Sequence, residues 1–434
     1  MALDITWRLG RLRLLWQGVW RHLRREGVRR TAAKALQRMQ QRGAPPVAAP
    51  VDHAETASRR DDRPCILIID AVMPDPSRDS GSQRLCNLMQ ILDQMGWRVA
   101  FMPDNLHATA PEHAILDALG VQTLCRPHVR SLPRWLQHEN VHIKAVMLCR
   151  HYVASAHARL IRQYVPAACL MFDTVDLHYL REQRAAEHGH QARQLRRARR
   201  TRRRELDLVR RCDVTFVVSP LEQELLARDM PDCDVRLLSN IHRVQPGAAG
   251  FDSRADLMFV GGWGHPPNRD AIAWLVHDIM PLIRQRLPNA QLHLIGDMPW
   301  EVRPDFEQPG VCIHGRIPDL SAMLHQCRVA LAPLRYGAGV KGKVNTAMSH
   351  GLPVVATSVA AEGMYLTHGT DVLIADDAMT FAEQVARAYS DPALWQTLSD
   401  GGMENIRRHF SFEAARHCLQ SVLDADADAP GKSD

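Results

Sequence analysis

Arg335-Tyr-Gly-Ala-Gly-Val-Lys-Gly-Lys-Val-Asn-Thr-Ala-Met-Ser-His350 is the stretch on which the reading of this chain turns. It joins an expected strand, Val329–Pro333, to an expected helix that runs to His350 and is stopped by Gly351 and Pro353. Glycines let a backbone approach a ligand closely, and the free N–H groups and dipole of a helix start favour an anion. Lys341 and Lys343 add two positive charges. A phosphate site between a strand and a helix is the economical reading; a glycine-rich surface turn with solvated lysines is the plain alternative.

Three ligand classes could use such a loop. Gly337, Gly339 and Gly342 fit G-x-G-x-x-G, with Glu362 twenty residues further on, but a dinucleotide fingerprint follows the first strand of its domain and this loop comes after about four. Gly337, Gly342 and Lys343 also fit G-x-x-x-x-G-K, yet Val344 stands where a nucleotide triphosphate loop needs Ser or Thr to hold magnesium. The third class is a nucleotide-diphosphate sugar, whose diphosphate needs the cradle and no tightly held metal if cations neutralise it.

Working outward, short apolar runs alternate with helical patterns. Strands are expected at Cys65–Asp70, Arg98–Pro103, Lys144–Cys149, Ala168–Phe172, Asp213–Ser219 and Val235–Leu238, with helices such as Gln83–Met95 and a long one ending near Arg211. After a Pro/Gly-bearing stretch (240–250) the alternation restarts with Leu257–Val260, a helix to Leu287, Gln291–Ile295, Val311–His314, Val329–Pro333 and Pro353–Thr357. Repeated βαβ units mean mainly parallel sheets in an α/β chain. At 434 residues the chain exceeds one compact core, and two domains are the expectation.

Further segments join the glycine loop in a recognisable order. Gly337-Ala-Gly-Val-Lys-Gly-Lys-Val344, continuing through Ala347-Met-Ser-His-Gly-Leu-Pro-Val-Val-Ala-Thr357 to Ala361-Glu-Gly-Met364, resembles the donor-site region of family 4 (group 1) glycosyltransferases. Phe259-Val-Gly-Gly-Trp-Gly-His-Pro-Pro-Asn268 resembles it too, a strand ending in a glycine turn with Asn268 placed to cap the next helix. Asp79-Ser-Gly-Ser-Gln-Arg84, Phe172-Asp-Thr-Val-Asp-Leu-His-Tyr-Leu-Arg181 and Asp213-Val-Thr-Phe-Val-Val-Ser219 with Glu222 follow the same pattern, so the likeness covers roughly 64–423.

The resemblance implies the GT-B fold: two Rossmann-like domains with mainly parallel sheets facing across a cleft. The expected parts are an acceptor-side domain over 64–245, a nucleotide-sugar domain over 251–405, and a C-terminal helix of about 407–423 packing back on the first. It implies retaining, metal-independent transfer of a sugar, with the nucleotide sugar as co-substrate and no resident cofactor. Lys341, Lys343 and the N–H groups around Gly337, Gly339 and Gly342 are expected to hold the donor diphosphate, joined by Gly81, Ser82 and Arg84, with Gly262, Asn268 and Glu362 nearby. Asp176 and His178 follow a strand tip and are the candidates to orient or deprotonate the acceptor hydroxyl. Two departures stand out. The family often has a histidine immediately before this aspartate, where this chain has Val175; and its paired glutamates, seven residues between them, fall on Ala338 and Thr346. A non-catalytic sugar-nucleotide-binding protein of the same fold is therefore the alternative.

The net charge of +6 is unevenly placed: residues 1–42 carry +9, residues 181–211 carry +8, and the remainder −11. Ile5, Leu9, Leu12, Trp16, Val19 and Leu23 fall on one face of a basic amphipathic helix with Trp7 and Trp20, the make-up of a segment lying on an anionic membrane. Docking on the protein's own body or on a partner is the alternative. Residues 43–63 read as a linker and 424–434 as an acidic tail. The arginine run Arg193–Arg211 reads as a helix with a basic side, and nucleic acid is disfavoured because no aromatic interleaving or known module accompanies it. No run approaches the 18–20 apolar residues of a membrane span, no signal peptide is legible, and ten scattered cysteines lack C-x-x-C spacing. The expected location is the cytoplasm, at the inner face of the membrane.

Overall fold

The computed structural model describes residues 63–139 and 142–424. The amphipathic helix, most of the linker and all but Asp424 of the acidic tail lie outside the described residues. Two compact units emerge: one gathers 63–73, 96–148 and 152–170, the other 74–95, 149–151 and 171–424. No described helix is long and apolar enough to cross a membrane.

In the first unit, β1 (Cys65–Asp70), β2 (Arg98–Pro103), β3 (Gln122–Thr123) and β4 (Ile143–Cys149) lie in the order β3-β2-β1-β4, with parallel pairing throughout. Cys65 pairs with Arg98 and the register holds to Asp70 with Pro103. Every residue of β1 is buried, as the continuous run Cys-Ile-Leu-Ile-Ile-Asp requires of a strand covered on both faces.

The second unit carries β5 (Cys169–Asp173), β6 (Val214–Val217) and β7 (Asp234–Leu237), again parallel, with Phe172 opposite Thr215 and Phe216 opposite Arg236. It also carries a six-stranded parallel sheet of β8 (Ala255–Val260), β9 (Leu292–Ile295), β10 (Val311–Gly315), β11 (Cys327–Ala332), β12 (Val354–Ala356) and β13 (Leu373–Ile374). The order β10-β9-β8-β11-β12-β13 reverses between β8 and β11, and open sheets bind ligands at the strand tips beside such a reversal. Phe259, Leu294, Leu331, Val355 and Phe381 fill its core. Each fully buried side chain of that size contributes about 1.5–3 kcal/mol.

Helix starts follow local chemistry. Asp79 is extended and accepts from the Ser82 N–H at 2.8 Å, opening the helix Ser80–Gln94. Ser219, Asp391 and Ser411 do the same for Pro220–Asp229, Pro392–His409 and Phe412–Leu423, the first two with proline in the first turn. The helix expected over Arg193–Arg211 is Ala192–Arg211; a separate helix, His178–His188, precedes it, ended by Gly189 with His190 at a left-handed φ of 51°. The helix expected to Leu287 is Pro266–Trp274 and Met280–Arg286 joined by a π-helical turn. Helix Phe412–Leu423 packs on Ser80–Gln94, where Arg416 donates to Gln94 at 2.7 Å.

Candidate active site

The tip of β8 and the tip of β11 flank the point where the strand order reverses. After β8 the chain turns through Gly261 and Gly262, and it passes so near Gly296 that a Cβ there would sit 2.4 Å from the Gly261 carbonyl oxygen. His265, not Asn268, is the cap of the next helix, because Pro266 and Pro267 start it earlier. Asn268 instead donates from Nδ2 to the Gly262 carbonyl (3.1 Å) and accepts from Lys343 Nζ (2.7 Å). The Lys343 ammonium also lies 4.2 Å from the Phe259 ring centre, and burial pulls its pKa down to about 7. Lys343 thus ties the helix Gly342–Ser349 to the glycine turn.

The loop after β11 delivers Lys341 and Gly342 to the start of that helix. A Cβ on Gly342 would lie 2.3 Å from Ser80 Cβ and 2.6 Å from Ser80 Oγ. Ser80 opens its own helix, so two helix N-termini meet here, both with positive dipole ends. The side chain of Lys341, which precedes the second helix, is buried, and its Nζ has no hydrogen-bond partner. Burial lowers its pKa to about 8, resisted by Glu362, Glu222 and Asp176. Gly339, at φ 70°, rests against Asp176, where a Cβ would come within 3.2 Å of the Asp176 Cβ. Gly81, Gly262, Asn268, Gly337, Gly339 and the two lysines all line one cavity of about 1230 Å³.

Three expected donor ligands are engaged elsewhere. Arg84 is 3% exposed and donates to both Asp173 oxygens (2.6 and 3.1 Å) and to the carbonyls of Ser239 (3.0 Å) and Leu238 (2.8 Å). Four of its five N–H groups are taken, so it is a buttress under the strand tips. Ser82 does not line the cavity, and its N–H belongs to Asp79. Glu362 is gripped by Arg184, which reaches both carboxylate oxygens (Nη2 to Oε1, 2.9 Å) and donates to the Gly337 carbonyl (2.9 Å). Arg184 escaped the sequence reading because its partners are 153 and 178 residues away.

Asp176 and His178 do come together. His178 Nδ1 lies 3.0 Å from Asp176 Oδ1 and hydrogen-bonds the Asp176 carbonyl oxygen, while Arg181 Nη1 pairs with Oδ2. Burial alone would raise the Asp176 pKa, but Arg181 and His178 hold it far below the ordinary carboxylate range. Burial opposes charge on His178 too, and Asp176 outweighs it, raising that pKa. A carboxylate so firmly ionised is a weak base, and its place at this turn suits orientation by charge.

Two buried glutamates hold this turn in place. Glu205 accepts the N–H groups of His178 (3.0 Å) and Tyr179 (2.9 Å), and Glu222 those of Leu177 (3.0 Å) and Val218 (3.1 Å). Burial pushes both up to about 7. Among the described residues, His151, His178 and Glu205 form a group whose possible metal-ligating atoms all lie within 4.8 Å of one another. The setting suits a cation poorly: Glu205 is occupied by its two N–H donors, and burial with nearby His178, Arg204 and Arg181 drives His151 down to about 3.

The fold has counterparts among known proteins. Residues 254–391, spanning the six-stranded sheet, match the family model for Glycosyl transferases group 1. The lipopolysaccharide core biosynthesis glycosyltransferase LpsD of Rhizobium meliloti (strain 1021) is 26% identical over 214 residues, 44% of this chain and 57% of that one. An uncharacterized 44.6 kDa protein in the cps region of Klebsiella pneumoniae is 25% identical over 139 residues, 30% of this chain and 36% of that one. The matches thus span roughly a third to just over half the length of these relatives. Among solved structures, sucrose-phosphate synthase from Thermosynechococcus elongatus superposes with a TM-score of 0.64 at 18% identity, covering 85% of this chain and all of that one. Anabaena HepE, in complex with UDP and glucose, gives 0.60 at 12%, covering 83% and 99%. The chain has the GT-B fold, and its residues 254–391 match the group 1 glycosyl transferase model.

Proposed function

We propose that this chain is a retaining glycosyltransferase that moves a sugar from a nucleotide-diphosphate sugar to a cell-surface glycan or lipid-linked acceptor without a metal ion. The observation that carries this reading is Lys341 Nζ, buried without a hydrogen-bond partner on the residue that opens one of two helices whose N-termini meet. Breaking the bond to the anomeric carbon leaves growing charge on the diphosphate. Preorganised N–H groups and an ammonium aimed at that charge stabilise the transition state more than the ground state. Glycine at 342 is what allows the two helix ends to come this close. Asp176, with His178 and Arg181, would fix the electrostatic setting in which an acceptor hydroxyl meets the anomeric carbon.

The UDP and UDP-glucose named in the HepE complexes support a uridine donor, and the LpsD likeness supports a surface glycan as product. Turnover screened over a panel of nucleotide sugars tests the reading, with anomeric configuration read by NMR. Lys341→Ala is expected to lower transfer by about 10²–10³-fold with the fold intact. Near-normal turnover would refute the assignment. Donor binding with no transfer to any acceptor would favour the non-catalytic alternative that Ala338 and Thr346 raise.

We infer further that the protein works at the inner face of the membrane, held there by residues 1–42. Their composition of tryptophans, leucines and eleven Lys/Arg supports this. Sedimentation with anionic liposomes should carry down the full chain and not a chain starting at Pro64; equal binding would sink the idea.

A further inference from the structure

The helix Ser80–Gln94 is fastened in two unlike ways. Its body is held by Arg84, buried on Asp173, and by Asn87, whose Nδ2 donates to the Ile241 carbonyl at 2.7 Å. Its entry turn, 74–79, is held at the surface. Within that turn the Arg78 N–H donates to the Asp75 carbonyl (2.9 Å), and Asp75 Oδ1 accepts from the Ser77 N–H (3.1 Å) and hydroxyl (2.5 Å). The other Asp75 oxygen accepts from Arg316 Nη2 at 3.0 Å, and the same nitrogen donates to Ser77 Oγ at 2.6 Å. Burial raises the Asp75 pKa, but the hydrogen bonds from Ser77 and Arg316 outweigh it and hold the carboxyl below its ordinary value.

Arg316 stands 241 positions from Asp75 in the chain. It leaves the tip of β10 directly after Gly315, whose φ of 72° turns the chain and whose carbonyl accepts the Gly296 N–H at 2.8 Å. Ser77 and Arg316 both line the cavity of the glycine loop, so the bridge joins two of its walls. The Arg316 and Asp75 side chains are 40% and 28% exposed, which sets the bridge on the solvent side of that cavity. Ser77 is three residues from Ser80, a reach of at most about 11 Å. What Arg316 holds is therefore the turn that delivers Ser80 to Gly342. The two fastenings differ in strength. Arg84 makes four buried hydrogen bonds, whereas an exposed ion pair contributes little, is screened by salt and breaks and re-forms readily. The entry turn can swing while the body of the helix stays fixed.

We propose that Arg316 is a positioning residue that straps the entry turn 74–79 across the cavity mouth through Asp75 and Ser77, the strap opening to pass a nucleoside diphosphate and closing again beside the two helix ends. This rests on the transferase reading, which puts that ligand in the cavity. It adds a gate: Arg316 governs how fast the nucleotide enters and leaves, and much less how tightly it is held.

The test uses the full chain with Arg316→Ala and with Asp75→Asn, which keeps an acceptor for Ser77 and drops the charge. Calorimetry gives the Kd for UDP. Release of radiolabelled UDP is timed by rapid filtration after a chase with unlabelled UDP, and the two together give the entry rate. Breaking the strap from either side should speed release at least about fivefold and entry by a similar factor, leaving Kd within about threefold of wild type. In about 0.5 M NaCl the Debye length falls below about 5 Å and the wild-type bridge is itself screened, so the ratio of variant to wild-type release should shrink towards one. A turn with a merely structural role would not show that convergence. Unchanged release in both variants overturns the proposal, as does a release ratio that salt leaves untouched. So does faster release in Arg316→Ala alone with Kd raised to match, which would make Arg316 a direct ligand of the nucleotide. These outcomes leave the transferase reading standing; failure of the wild type to bind UDP at all would overturn that reading and this proposal with it.

Discussion

Gly342→Ala adds one carbon at the place where the two helix N-termini meet. Ordinary contact begins near 3.4 Å, and the new Cβ would stand 2.3 Å from Ser80 Cβ, so the ends must part by about 1 Å. Two effects oppose each other in stability. Alanine restricts the unfolded chain and gains about 0.4–1 kcal/mol, while overpacking costs about 1–3 kcal/mol, leaving a net loss of no more than about 2.6 kcal/mol. Function should suffer more, because a 1 Å displacement of a positioning element costs about 10²-fold in rate. Calorimetric titration with UDP and urea unfolding measure the two consequences separately. Affinity for UDP should fall at least about tenfold while the unfolding transition remains cooperative. Ser80→Gly in the same chain removes the opposing carbon and should restore most of the lost affinity, a coupling that neither change shows alone. Unchanged UDP affinity in Gly342→Ala would refute the argument that these helix ends form the diphosphate cradle.

Other perturbations probe the parts around it. Arg84→Met breaks a fully buried ion pair and should cost about 3–5 kcal/mol in urea unfolding; a loss under about 1 kcal/mol would show that Asp173 does not depend on it. Arg184→Ala frees Glu362 and the Gly337 carbonyl. Since that pair is partly exposed, stability should change by less than about 1 kcal/mol, while KM for the sugar nucleotide rises; an unchanged KM would separate Glu362 from the donor. Glu222 sits near 7 folded against an ordinary 4.5, so the native state holds more protons than the unfolded chain between those values. Its contribution to stability therefore falls as pH rises from 4.5 to 7. Glu222→Gln should flatten that fall in unfolding measured at pH 5, 6 and 7, and an identical slope would count against a buried, proton-holding Glu222.

Much of the fold was readable because parallel strands covered on both faces are written as unbroken apolar runs, as in Cys65–Ile69 and Val329–Ala332. β3 and β13, two residues each, are too short to carry a pattern. Leu195, Leu206 and Val209 made the helix of the arginine run legible, whereas the left-handed φ at His190 before it leaves no periodic mark. In the site, Gly339 and Gly342 could be found because positive φ and close approach admit essentially one residue type. Arg184 and Glu205 could not, since an arginine or glutamate is ordinary on any surface and their roles come from partners distant in the chain. Arg84 marks the same limit from the other side: it stands in the right motif, yet Asp173, 89 residues on, claims its guanidinium.

The buried ammonium at Lys341 also bears on the end of the catalytic cycle. A cradle that stabilises the departing diphosphate holds the freed nucleoside diphosphate for the same reasons, now with more negative charge to grip. On the proposed reading, release of that product would compete with transfer of the sugar in setting the pace of turnover. The output of such an enzyme would follow how quickly its surroundings clear the spent nucleotide.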